Sequence, residues 1–269
     1  TIVLGIPLML TEFGIGRRGQ SAPVGALRRV AGPRWALVGW LGAAGSLLIL
    51  SYYSVIAGWT VRYALEALLY GFPAEAGAHF GGIAAGAGAV GYHLAFMLLT
   101  LLVVLGGIHG GIERASLILM PALFVIVVGL ALWAATLNGA AAGYAVYLRP
   151  DVDELMNPAV WRAAAAQAFF SLSLGMGAMM TFASYLDRRA NLPASATIVS
   201  YTDFGVAFVA GLVVFPVIYS LGLQAAVGES TVGALFIALP SAFDAMGTVG
   251  RVVGTAFFIA LVVGALTSA

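Results

Sequence analysis

Between Ala163 and Leu186 the chain carries no Asp, Glu, Lys or Arg, and the stretch is long enough to cross a bilayer. Its centre, however, is Phe169-Phe170-Ser171-Leu172-Ser173-Leu174-Gly175-Met176-Gly177. Two hydroxyls and two glycines interrupt the apolar run where an intact helix would bury its backbone hydrogen bonds. Unwound backbone at membrane depth is stable only where protein or a water-filled cavity receives the freed N–H and C=O groups. The segment is therefore expected to break, and the break is a candidate binding site.

The rest of the chain sets this segment in a membrane protein. Of 269 residues, 62% are hydrophobic and 9% are charged, against about 25% charged in soluble domains. A net charge of +1 implies no nucleic-acid partner. The absence of cysteine excludes disulfides, thiol catalysis and thiolate metal sites. Seven segments have the length and apolarity of spans: 1–16, 35–70, 88–108, 115–137, 163–186, 196–221 and 252 onward. The expected fold is an all-α polytopic helical bundle, with residues 1–269 forming one transmembrane domain.

Arg17, Arg18, Arg28, Arg29 and Arg34 follow the first segment with no acid among them, which places that loop in the cytoplasm. Alternation then puts 71–87, 138–162 and 222–251 outside. The last of these is itself apolar, from Val232 to Pro240, and is expected to form a re-entrant or interfacial hairpin. Thr1 to Leu10 already has the character of mid-helix, and the chain ends after a long uncharged run. It is expected to be part of a longer protein, truncated at both ends.

Five runs in order resemble the neurotransmitter:sodium symporters, the LeuT-type transporters. They are Gly5-Ile6-Pro7-Leu8-Met9 through Glu12 to Gly16-Arg17; Tyr52-Tyr53 to Trp59; Gly111-Ile112-Glu113-Arg114 to Met120-Pro121; the broken segment extended to Ala183-Ser184-Tyr185; and Gly264-Ala265-Leu266-Thr267-Ser268. The resemblance implies a partial LeuT-type inverted-repeat fold covering that family's second to eighth helices. It also implies sodium-coupled amino-acid symport by alternating access, in the inner (plasma) membrane, with no cofactor beyond the co-transported sodium.

The resemblance distributes roles along the chain. Ile49, Tyr53, Phe170, Ser171, Ser173, Gly175, Met176 and Ser268 match substrate-binding positions. Tyr53 corresponds to the tyrosine that meets the substrate carboxylate, and Ile49 lies one turn before it on the same helix face. Met176 stands where several relatives have Phe, and a flexible, polarizable thioether contacts rings well; hydrophobic or aromatic substrates are expected. Ser171 and Asp203 match one sodium site; Gly264, Thr267 and Ser268 match a second, at i, i+3 and i+4 on one helix face. Where many relatives carry Asn and need chloride, this chain has Asp203, with Ala207 four residues on; transport is expected to be chloride-independent. Glu12 is implied to bond backbone near the break, and Gly111 with Pro121 to let a helix end unwind.

Read without the resemblance, several of these residues have plainer explanations. A glycine-rich run also serves close helix packing, Asp203 also suits a helix start, and a Thr-Ser pair near a helix end commonly bonds its own backbone. His79, His93 and His109 match no metal pattern, and Arg62 with Glu66 makes an ordinary i,i+4 pair. An enzyme is disfavoured: there is no Cys and no His cluster, and the two deep acids lie on separate segments. A proton-coupled transporter and a non-transporting sensor on the same scaffold stay open.

Overall fold

The computed structural model describes residues 1–106, 112–187, 189–228 and 231–269. Helices dominate, and no strand occurs among the described residues. In order they are α1 (Ile2–Gly19), α2 (Pro23–Ala31), α3 (Ala36–Leu69), α4 (Ala76–Ala84), α5 (Ala87–Gly106), α6 (Ile112–Ala134) and α7 (Ala140–Leu148). Then come α8 (Pro158–Ser171), α9 (Ala178–Ser184), α10 (Leu192–Ser220), α11 (Gln224–Val227), α12 (Thr231–Gly233), α13 (Leu239–Ala245) and α14 (Gly247–Ser268).

Among the described residues five stretches, Pro33–Leu69, Gly88–Leu105, Ser116–Ala134, Leu192–Ser220 and Gly247–Ser268, are long and apolar enough to cross a membrane. The other two expected spans differ for identifiable reasons. Helix α1 has 18 residues and carries Glu12, Arg17 and Arg18. The segment 163–186 is two helices, α8 and α9, parted at Leu172–Gly177.

One boundary moves. The last span starts at Gly247, not Val252, so Arg251 lies inside α14. Its charge does not mark the helix edge, because its guanidinium is met by carbonyls of α3.

The described residues fall into two compact units, Thr1–Ile49 with Pro150–Phe208 and Leu50–Arg149 with Val209–Ala269. The first has a core of Met9, Phe13, Leu172, Leu174, Ala183, Leu192 and Ala196. Here α1 packs along α9 so closely that a Cβ on Gly16 would meet the Met180 backbone.

The second unit is built on rings. Tyr63, Phe236, Phe243, Phe257 and Phe258 are all buried in its core. The apolar segment expected to form a hairpin is helical: α12 passes through a π-turn, Ala234–Ala238, into α13. A π-turn shifts hydrogen bonding by one residue, and the Tyr63 hydroxyl donates to the Phe236 carbonyl there at 2.8 Å. Phe236, Ala242 and Phe243 have no exposed surface, so this segment is sunk into protein.

Candidate functional site

The break is shaped by alternation. Leu172 and Leu174 are 2% and 4% exposed and sit in the first unit's core. The residues between and beside them, Ser171, Ser173 and Gly175, are thereby turned the other way. Helix α8 closes with Ser173 N–H donating to the Phe170 carbonyl at 3.1 Å and Leu174 N–H to that of Phe169 at 2.9 Å. Ser173, Gly175 and Gly177 then take φ of +53°, +81° and +83°. Glycine adopts this left-handed region freely, whereas Ser173 is strained there.

Two side chains receive the freed backbone. Glu12, 7% exposed on α1, accepts the Gly175 N–H on Oε1 at 2.6 Å. On α3, the Ser46 hydroxyl donates to the Met176 carbonyl at 3.3 Å and to that of Gly42 at 3.1 Å. Gly42 lies so near that a Cβ there would stand 3.1 Å from the Gly175 carbonyl oxygen. Sequence reasoning missed Gly42 and Ser46. Their signal was the spacing Gly42, Ser46, Ile49, Tyr53, which follows one face of a helix; in the structure all four are buried or half-buried.

Replacing Glu12 with Ala leaves the Gly175 N–H without its acceptor, at a cost of about 1–3 kcal/mol. Glu12→Gln keeps an acceptor oxygen and should retain most of that stability. Thermal unfolding of the two variants compares them, and equal losses would show that the bond contributes nothing.

Beside the break, the Ser171 hydroxyl donates to Asp203 Oδ1 from 32 residues away. Asp203 lies well inside α10, which begins at Leu192, so it is not a cap at the helix start. Ser171 and Phe170 are exposed, and Ser173, Met176 and Ile49 are half-buried. The first unit thus carries Glu12, Ile49, Phe170, Ser171, Ser173, Gly175, Met176 and Asp203.

The second unit holds the other candidates. On α14, Thr267 and Ser268 donate their hydroxyls to the Gly264 carbonyl at 2.8 Å and 3.0 Å. The two hydroxyl oxygens and the carbonyl oxygen are thereby gathered, in the backbone-bonding arrangement common for Thr and Ser in helices. Ser268 is also a hydrogen-bond partner of the Tyr53 hydroxyl, and Tyr53 packs on Ala57, Phe96 and Ala265. A Cβ on Gly264 would be 3.4 Å from Met120 Cε, next to Pro121 inside α6. Gly111 and His109 lie outside the described residues.

Glu66 is shared by Arg62 and His79, each at 2.8 Å, so the pair read from sequence is part of a triad. Among the described residues no group of three His, Cys, Asp or Glu is placed to hold a metal. The two oxygen clusters, Ser171 with Asp203 and Gly264 with Thr267 and Ser268, are of the kind that suits a hard cation; carboxylate, carbonyl and hydroxyl oxygens are hard ligands.

A polytopic helical protein with a membrane helix broken around carboxylate and hydroxyl oxygens has the architecture of a secondary transporter. Comparison with known proteins gives the class its family. The model of the sodium:neurotransmitter symporter family matches residues 79–269. The chain is 38% identical over 276 residues to the sodium-dependent transporter YhdH of Bacillus subtilis, covering 100% of this chain and 60% of that protein. It is 27% identical over 250 residues to the mouse sodium-dependent neutral amino acid transporter SLC6A17, covering 81% of this chain and 34% of that one. The crystal structure of MhsT in complex with L-phenylalanine superposes with a TM-score of 0.91 at 42% identity, over 98% of this chain and 60% of MhsT.

The chain belongs to the sodium:neurotransmitter symporter family, a family of membrane transporters. It spans about 60% of the length of YhdH and of MhsT.

Proposed function

We propose that this chain is part of a sodium-coupled symporter of amino acids, hydrophobic or aromatic ones, that works without chloride by alternating access in the inner (plasma) membrane. The observation that carries the reading is the Ser171 hydroxyl bound to the Asp203 carboxylate at the edge of the broken helix. A fixed negative charge beside candidate sodium ligands supplies covalently what chloride would otherwise bring, and an intramembrane carboxylate is by default functional.

In this reading the break gives polar backbone to the ammonium and carboxylate of the substrate, while Phe170 and Met176 offer apolar contact to its side chain. Tyr53 is assigned to the substrate carboxylate. Gly264, Thr267 and Ser268 are assigned to a second sodium ion, and Pro121 to local opening of α6. The aromatic preference is supported by Met176 and by the L-phenylalanine bound to MhsT.

The test is uptake of labelled L-phenylalanine by the full-length protein in proteoliposomes. An inward sodium gradient should drive saturable accumulation, and replacing chloride by gluconate should leave it unchanged. Strong stimulation by chloride at fixed sodium would remove the role given to Asp203. Accumulation on a pH gradient without sodium would make protons the coupling ion, and saturable binding without flux would make the protein a sensor.

A further inference from the structure

Arg251 stands apart from every role assigned so far, yet it makes more long-range side-chain hydrogen bonds than any candidate site residue described above. Its guanidinium Nη2 donates to the carbonyls of Leu68 at 2.7 Å and Leu69 at 3.0 Å, and Nε to that of Ala67 at 3.3 Å. These are carbonyls at the end of α3, where no further helical turn supplies N–H donors. Gly71, at φ +91°, turns its own N–H back onto Glu66 and Ala67; Leu68 and Leu69 are left to Arg251. A cation at a helix C-terminus also meets the negative end of the helix dipole.

Inward of this contact the two helices keep an antiparallel order. Along α3 the contact points are Leu68, Tyr63, Ala57 and Tyr53. Along α14 their counterparts are Arg251, Phe258, Ala265 and Ser268. Tyr63 and Phe258 stack with ring centroids 5.1 Å apart. Ala57 and Ala265 share one buried cluster with Tyr53 packed against it, and Tyr53 meets Ser268. The fork of Arg251 is thus one end of a seam about 22–26 Å long, at 1.5 Å per residue, whose other end joins Tyr53 to the oxygens gathered on Gly264.

We propose that Arg251 is a positioning residue for sodium–substrate coupling. By clamping α14 to the end of α3, it holds the two helices in the one register that keeps Tyr53 against Ser268. Sodium bound among Gly264, Thr267 and Ser268 then reorders a hydroxyl that Tyr53 already touches, and the tyrosine assigned to the substrate carboxylate feels the ion. Without the clamp the helices can slide or splay, and ion and substrate bind with less mutual effect. This rests on the symporter reading above.

The test measures L-phenylalanine affinity of the full-length protein at zero and at saturating sodium; the ratio is the coupling. Couplings of this kind are typically about 5–150-fold. Arg251→Met should cut the ratio about tenfold, and Arg251→Lys, a cation without the planar fork, should fall between. In a Ser268→Ala background, Arg251→Met should add little further loss, because both act on one contact.

A purely structural clamp would lower the melting temperature and leave the ratio unchanged; that result overturns the proposal. If Arg251→Met does not fold, an undiminished ratio in Arg251→Lys overturns it equally. A wild-type protein whose affinity ignores sodium would instead sink the symporter reading itself.

Discussion

Asp203→Asn should weaken the apparent sodium affinity of uptake by about ten- to a hundredfold while leaving the fold intact. Asn keeps an Oδ1 that can accept the Ser171 hydroxyl, so the contact across 32 residues is preserved and only the charge is lost. A unit charge about 4 Å from a cation contributes on the order of 1–4 kcal/mol, depending on how much water screens it. The lower and middle part of that range converts to the stated loss at about 1.4 kcal/mol per tenfold. Asp203→Ala removes the acceptor as well and should fall further. Sodium titration of uptake makes the comparison. A half-saturating sodium concentration unchanged in Asp203→Asn would mean that the carboxylate does not face the ion. A variant that regains activity only with chloride would strengthen the assignment.

The second large effect is on stability. At Gly16 a side chain has nowhere to go: its Cβ would lie 2.8 Å from Met180 Cα and nearer still to the Met180 carbonyl oxygen. The obstruction is backbone and cannot rotate away. Gly16→Val should therefore pry α1 from α9, costing about 3 kcal/mol or more, at the upper end of overpacking penalties. A second glycine of the same helix supplies the control. A Cβ on Gly14 would meet nothing within 4 Å, and Gly14→Ala should be neutral or stabilising by up to about 1 kcal/mol. Thermal unfolding of both variants in detergent gives the contrast. Similar melting temperatures for the two would refute the close packing of α1 on α9.

Much of the fold was legible because membrane segments are written plainly in charge and length. The limits of α3, α5, α6 and α10 fall within a few residues of those expected. The break was legible too, since Ser171, Ser173, Gly175 and Gly177 crowd together at mid-span, more densely than helix packing asks for. What composition could not reveal was direction. Nothing in Ser171-Leu172-Ser173-Leu174 says that the leucines go into the α1 core and the serines away from it; that follows from Met9 and Phe13, far earlier in the chain. Ser46 and Gly42 were passed over for a related reason: a hydroxyl and a glycine amid apolar residues look like ordinary small-residue packing. Arg251 misled outright. A charge near the end of an apolar run reads as the water boundary, and only the end of α3 shows why it can sit inside a helix. The nearness of Ser171 and Asp203 was suggested by the family resemblance and not by spacing.

The two leucines of the break have a mechanical meaning beyond packing. With Leu172 and Leu174 set among Met9, Phe13 and Ala183, and Glu12 gripping Gly175, the break is tied to α1 by both greasy and polar attachments. It is therefore a poor hinge. A loose break would let α8 and α9 swing against each other; this one is a splint, and a tilt of α1 carries the Ser171 end of α8 and the start of α9 with it as a single lever. Bending is resisted within the break itself, where both attachments lie.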